Sequence, residues 1–229
     1  MSAENSLFII NFKNYDNISG SRSLELAKIA SKISRKYKIK IVVCPPQQVI
    51  SEITKVSIPV FAQHVDNKEM GSTTGYIVPE LVKKSRVSGS LVNHSEHRLA
   101  SKDIKELVSR LKALKMTSVV CVKNVSEARK YAKLNPDYIA IEPPELIGTG
   151  KAVSTEKPEV IIKSVRAVKD AKNSTRLLCG AGIISGNDVA RALELGANGV
   201  LVASGIVKAK NWERVIEEFS IPFVKKRKV

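Results

Sequence analysis

The sequence predicts an α/β protein built as a closed (β/α)8 barrel, eight parallel strands ringed by helices, on three observations. Short β-branched runs recur eight times, each is followed by a stretch with helical periodicity, and no break separates one half of the chain from the other. The strands read as Leu7–Phe12, Ile39–Cys44, Ile58–Gln63, Gly89–Asn93, Thr117–Val122, Asp137–Glu142, Thr175–Cys179 and Gly199–Ala203. Continuous apolar runs, rather than alternating ones, suit parallel strands covered on both faces. Between the first two runs, Leu26, Ile29, Ala30, Ile33 and Tyr37 share one helix face and Lys28, Lys32 and Lys36 the other. Ile104, Leu107, Val108, Leu111 and Leu114 repeat the pattern, with Ser101 as the expected N-cap. A third helix opens at Ser185-Gly-Asn-Asp188, a capping box with Asp in place of the usual Glu. With no linker or shift of composition, residues 1–229 read as one domain ending in a basic tail, 221–229.

Composition narrows the class. A chain of 229 residues with 43% hydrophobic and 26% charged residues can bury a substantial core. Its longest apolar runs are strand-sized, so no membrane partner is expected, and the lack of a signal segment at Met1–Ser6 makes a cytoplasmic location the default. Cys44, Cys121 and Cys179 lie far apart, without a CxxC pair, and read as small buried hydrophobes. A net charge of +16 raises nucleic acid or an anionic substrate as partner. The basic residues are spread along every helix, however, and do not interleave with aromatics, so a solvated basic surface is the better reading.

Polar residues collect where strands end. In Ile9-Ile-Asn-Phe-Lys13 the period of two puts Ile9, Asn11 and Lys13 on one side and Ile10 and Phe12 on the other. His94 follows the fourth strand and Glu142 ends the sixth. Taken singly, these are a surface lysine, a satisfied histidine and a strand-end carboxylate. All three at the C-terminal ends of barrel strands form a candidate site. Two lookalikes fail: Gly148-Thr-Gly-Lys151 lacks the first glycine and the Ser/Thr of a P-loop, and Gly180-Ala-Gly-Ile-Ile-Ser185 lacks the last glycine of a dinucleotide fingerprint. No nucleotide cofactor and no Mg2+ or Zn2+ site is indicated.

At these residues the sequence resembles the triosephosphate isomerase family. The matching segments are Asn11-Phe-Lys13, Ala62-Gln63, His94-Ser-Glu-His-Arg98, Glu142-Pro through Ile147-Gly-Thr-Gly150, Gly180-Ala-Gly182 and Gly199-Val-Leu-Val-Ala-Ser204, in order from the first strand to the last. The short chain and the Pro-Pro-Glu-Leu form of the lid resemble the archaeal-type branch. The resemblance implies a TIM barrel that interconverts dihydroxyacetone phosphate and glyceraldehyde 3-phosphate. It makes Glu142 the base, His94 the electrophile and Lys13 the electrostatic stabiliser, with Asn11 on the substrate oxygen and Glu96 orienting Lys13. It places substrate contacts at Asn11, Phe12, Lys13, Ile147, Gly148, Gly180, Gly182, Ala203 and Ser204, with the phosphate held by glycine-rich turns at helix starts. Two departures stand out: Gly182 replaces a common Ser, and Ala203-Ser204 a common pair of glycines. A helix starting near Ser95 is expected to set the state of His94. Gly71-Ser-Thr-Thr-Gly75 resembles the loop this family inserts into a neighbouring subunit, which implies a homodimer, or a homotetramer by analogy with the archaeal branch.

Two rivals remain. Another phosphate-binding barrel enzyme, such as an aldolase, would need a Schiff-base lysine deep on a strand, and no second lysine is placed like Lys13. A nucleic-acid-binding protein would draw on Lys225-Lys-Arg-Lys228, which resembles a nuclear localisation signal but reads better as a solvated terminus.

Overall fold

The structure is a computed structural model that describes residues 6–147, 149–150 and 152–225. Eight parallel strands form it: β1 Leu7–Asn11, β2 Lys40–Cys44, β3 Phe61–Ala62, β4 Gly89–Val92, β5 Thr117–Val122, β6 Tyr138–Ile141, β7 Arg176–Cys179 and β8 Gly199–Val202. Their order is β2-β1-β8-β7-β6-β5-β4-β3, and a parallel bridge between Val43 and Val60 closes the ring. Around it run α1 Ser21–Tyr37, α2 Ile50–Ile53, α3 Pro79–Lys84, α4 Ser101–Ala113, α5 Val125–Ala132, α6 Val153–Glu156, α7 Pro158–Asp170, α8 Gly186–Glu194, α9 Ser204–Val207 and α10 Trp212–Lys225. The expected eight-stranded barrel is therefore present. No helix among the described residues is long and apolar enough to cross a membrane.

Alternation along the strands divides the apolar side chains into two layers. Leu7, Ile9, Val42, Leu91, Val119, Ala140 and Leu201 fill the barrel interior. Phe8, Ile10, Phe12, Ile41, Val43, Val120, Ile139 and Val200 face the helices. The buried sides of α1 (Leu26, Ala30, Ile33) and α4 (Ile104, Leu107, Val108, Leu111) cover that outer layer, at the spacing the sequence shows.

Differences from the expected elements have local causes. β3 begins at Phe61 rather than Ile58, because Pro59 has no N–H to give the ladder; only its carbonyl pairs, accepting from Val43 N–H at 3.1 Å. β1, β3, β4, β6 and β8 stop one residue short, leaving Phe12, Gln63, Asn93, Glu142 and Ala203 just beyond the sheet. Ser101 does not cap α4; the N-cap is Ala100, and the Ser101 hydroxyl lies 3.1 Å from the Tyr131 hydroxyl and accepts from Lys130 Nζ at 2.7 Å. The capping box of α8 forms as expected, Ser185 and Asp188 each bonding the other's backbone. Ile221–Lys225 continue α10, and the remaining tail residues, 226–229, lie outside the described residues.

α10 packs against α1 and α8, and Phe8 anchors it, stacking on Phe219 and Phe223 with ring centroids 6.3 and 5.8 Å apart. Phe8→Ala should cost about 3–5 kcal/mol by opening a cavity beneath this helix. Urea denaturation would register the loss as a lower midpoint, and an unchanged midpoint would show that α10 does not depend on this contact.

Candidate active site

Each chemical side chain sits where a strand hands over to its loop. Asn11, the last residue of β1, is 3% exposed and turns its Oδ1 back to accept the backbone N–H of Lys13 at 3.0 Å. That bond helps hold Lys13 at φ 52°, a left-handed conformation uncommon for a side-chain-bearing residue. Gln63 fixes it from the other side, donating Nε2 to the carbonyl oxygens of Lys13 at 3.0 Å and of Cys44 at 3.1 Å. The Lys13 ammonium then meets Glu96 Oε1 at 2.5 Å.

His94 is set by the turn after β4. Asn93 adopts φ 63°, tolerable for Asn, while its Nδ2 donates to Cys121 O at 2.9 Å and its Oδ1 accepts from Leu99 N–H at 2.9 Å. The expected helix near Ser95 is a single turn, closed by His97 N–H on His94 O at 2.8 Å, and α4 begins only at Ser101. One turn is enough to set the imidazole, because the backbone N–H of Glu96 points at His94 Nδ1 at 3.3 Å. That contact favours the tautomer in which Nδ1 accepts and Nε2 carries the proton. Nε2 faces Glu142 Oε1 at 3.5 Å.

Glu142 is 4% exposed, just past β6. Burial pushes its carboxyl above the usual glutamate range, against the opposing pull of His94, the Cys121 thiol and Lys13. Burial also pushes the Cys121 thiol well above its usual range, so it remains an S–H donor to the carboxylate beside it. Cys44 and Cys179 are likewise buried and free, as the sequence suggests. Gly180 is obligatory here, since a Cβ at that position would lie 2.7 Å from Glu142 Cγ. Two buried polar atoms at the site, Glu142 Oε2 and Ser95 Oγ, have no hydrogen-bond partner among the described residues.

One pocket at the C-terminal end of the strands joins Asn11, Lys13, His94 and Glu142 to the turns carrying Gly180 and Gly182, Ala203 and Ser204, with Ile147 from the lid segment. Gly182 stands at φ 71°, which a serine would adopt only with strain. Ser204 opens α9, whose first turn leaves N–H groups without intrahelical partners. Two of the expected site residues fall elsewhere. Phe12 is fully buried between the barrel and the helices and does not line the pocket, as the period of two requires. Glu96 lines the adjoining pocket and reaches the first through Lys13. Gly148 lies outside the described residues. The residues that sequence patterns do not assign are Gln63, Cys121 and Tyr15, the last lining the pocket beyond Lys13.

A barrel with a buried carboxylate, an imidazole and a lysine converging at the mouth where its strands end is the architecture of a (β/α)8-barrel enzyme. A family model described as triosephosphate isomerase matches residues 6–219. Proteins named triosephosphate isomerase are similar along nearly their whole lengths. That of Cenarchaeum symbiosum is 50% identical over 218 residues, 95% of this chain and 98% of the relative. Those of Methanocaldococcus jannaschii and Archaeoglobus fulgidus are each 49% identical, over 213 and 211 residues, covering 93% and 92% of this chain and 97% and 95% of the relatives. The chain belongs to the triosephosphate isomerase family.

The raised Glu142 carboxyl has a consequence for stability. The folded chain holds this proton more tightly than the unfolded chain, so the group's stabilisation is complete below the ordinary glutamate range and is lost as pH rises through the folded value. Glu142→Gln, neutral throughout, should raise the melting temperature at pH 8, and the gain should shrink towards pH 4. Thermal denaturation at both pH values checks this; an equal gain at both would contradict it.

Proposed function

We propose that the chain catalyses the isomerisation of dihydroxyacetone phosphate and D-glyceraldehyde 3-phosphate through an enediolate, as a single barrel domain acting on a small phosphorylated triose without metal or nucleotide. The observation that carries this reading is the pairing of Glu142 Oε1 with His94 Nε2 at 3.5 Å over a pocket whose far wall is made of glycine-rich and helix-start turns. In it the Glu142 carboxylate removes a proton from C1 of dihydroxyacetone phosphate, and the electron pair moves to the C2 oxygen as the enediolate forms. The Nε2–H of His94 hydrogen-bonds that developing charge, then gives its proton to one oxygen and recovers one from the other. Redelivery of the carbon-bound proton to C2 completes the aldose. Lys13 supplies a fixed positive charge, Asn11 holds a substrate oxygen, and Glu96 orients the ammonium. The phosphate rests against Gly180, Gly182, Ala203 and Ser204, with the Ile147–Gly150 segment as the closing lid.

Self-association belongs to the same reading. The Gly71–Gly75 loop is closed at its base by Asp66, which accepts Ile77 N–H at 2.7 Å through Oδ2 and donates its own N–H to Ile77 O at 2.8 Å. Met70 and Tyr76 flank the loop at 51% and 48% exposure. Beside Lys13 and Glu96 lies a second pocket, lined by Asn14, Gln47, His64 and His97, of a kind to receive a neighbour's loop. Assembly in the cytoplasm as a homodimer, or as a homotetramer of paired dimers, follows from this proposal.

A coupled assay with glyceraldehyde 3-phosphate in excess EDTA should show full activity without added nucleotide, and activity that returns only with metal would sink the reading. Glu142→Asp withdraws the carboxylate by one methylene, a displacement of ~1 Å worth on the order of 10²-fold in kcat. Ser204→Asp, by contrast, puts a like charge beside the phosphate and should chiefly raise KM. Deleting Ser72–Thr74 should give smaller particles and much lower activity together; an active monomeric parent in light scattering would refute the interlocking loop.

A further inference from the structure

The geometry points to Tyr15 as an additional contact for the substrate's phosphoryl group, its phenol hydroxyl donating to a phosphate oxygen and its ring held in place by Lys208. This rests on the isomerase reading above and adds to it a residue from the β1 loop, on the side of the pocket where the phosphate turns lie.

Four observations carry it. Tyr15 is half-buried, its ring packed against the outer core, and it lines the same pocket as Ala203 and Ser204. Its hydroxyl bonds to no described residue, so the polar end of the side chain is available to a ligand. The Lys208 ammonium sits 4.9 Å from the ring centroid, a cation–π distance, and among the described residues Lys208 pairs with no carboxylate. The β1 loop is tied to the end of α9 by Asn17 Nδ2, which donates to Val207 O at 2.8 Å. Since Ser204 opens α9 and Lys208 follows it, the tie fixes Tyr15 relative to the phosphate turn.

The chemistry suits a dianionic group. A phenol is a good donor to phosphate, and a cation over the ring draws electron density from the oxygen and strengthens that donation. Lys208 also adds, beside Tyr15, a positive charge that no carboxylate among the described residues offsets, whereas Lys13 is paired with Glu96. A merely structural Tyr15 would be content with its ring alone, so removal of the hydroxyl separates the two roles.

The test is the full-length Tyr15→Phe variant, which keeps the ring, the packing and the cation above it. Titration calorimetry with inorganic phosphate should show binding weakened by about tenfold, the size of one hydrogen bond to a charged group. KM for glyceraldehyde 3-phosphate should rise by a similar factor, with kcat within about twofold of the parent. Lys208→Met should weaken phosphate binding severalfold, and Lys208→Arg, which restores a cation over the ring, should recover most of it. Phosphate binding unchanged in Tyr15→Phe overturns the contact, as does a fall in kcat with KM unaltered. Unchanged binding in Lys208→Met overturns the role of Lys208. A parent without isomerase activity would refute the proposed reaction, whereas the phosphate titrations would still decide for or against Tyr15.

Discussion

A carboxylate withdrawn from water loses hydration worth several kcal/mol, and the site is organised around meeting that cost at Glu142. Burial alone disfavours the ionised form. His94, the Cys121 thiol and Lys13 each favour the ionised form, while Glu96 disfavours it. The balance leaves the carboxyl raised, a stronger base than an exposed glutamate. Each of these groups is held by something of its own: Lys13 by Asn11 and Gln63, His94 by Asn93 and the Glu96 N–H, and Cys121 by its place on β5. Gly180 contributes by having no side chain, which lets the carboxylate lie against β7's end.

The barrel is what makes these supports converge. Inward-facing side chains rise in layers from the closed end, and the topmost residues of alternate strands meet at the mouth. Asn11 stands above Ile9, and Glu142 above Ala140, on the same inward side of their strands. Ending β1, β4, β6 and β8 one residue early frees the residues that follow from ladder geometry. That freedom is used at once, since Lys13 and Asn93 take left-handed conformations there. At these two positions hydrogen bonds from distant strands over-determine the strained backbone.

Most of this is legible in the residues. Eight β-branched runs with helical periodicity between them carry the fold, and polar residues at their ends carry Asn11, Lys13, His94 and Glu142. The period of two also places Phe12 on the outer side, and its position in a familiar motif is a poorer guide than that alternation. Cys121 reads as a small buried hydrophobe, which it is, but as the inward residue at the top of β5 it is also a neighbour of Glu142. Gln63 bonds the carbonyl of Lys13, beyond β1, and that of Cys44 on β2, and nothing local in the sequence signals such a partnership. Tyr15 is equally silent, because its position depends on Asn17 reaching Val207, 190 residues away.

The central claim is that Glu142, and not another group at the mouth, moves the carbon-bound proton. Incubating dihydroxyacetone phosphate with the protein in heavy water and following deuterium at C1 by NMR tests it without reference to product release. Parent protein should exchange that hydrogen rapidly, and Glu142→Gln, whose amide has no basic site for the proton, should slow the exchange by more than the roughly 10²-fold expected for a displaced carboxylate. Exchange at the parent rate in Glu142→Gln would show that a different residue is the base and would contradict the account.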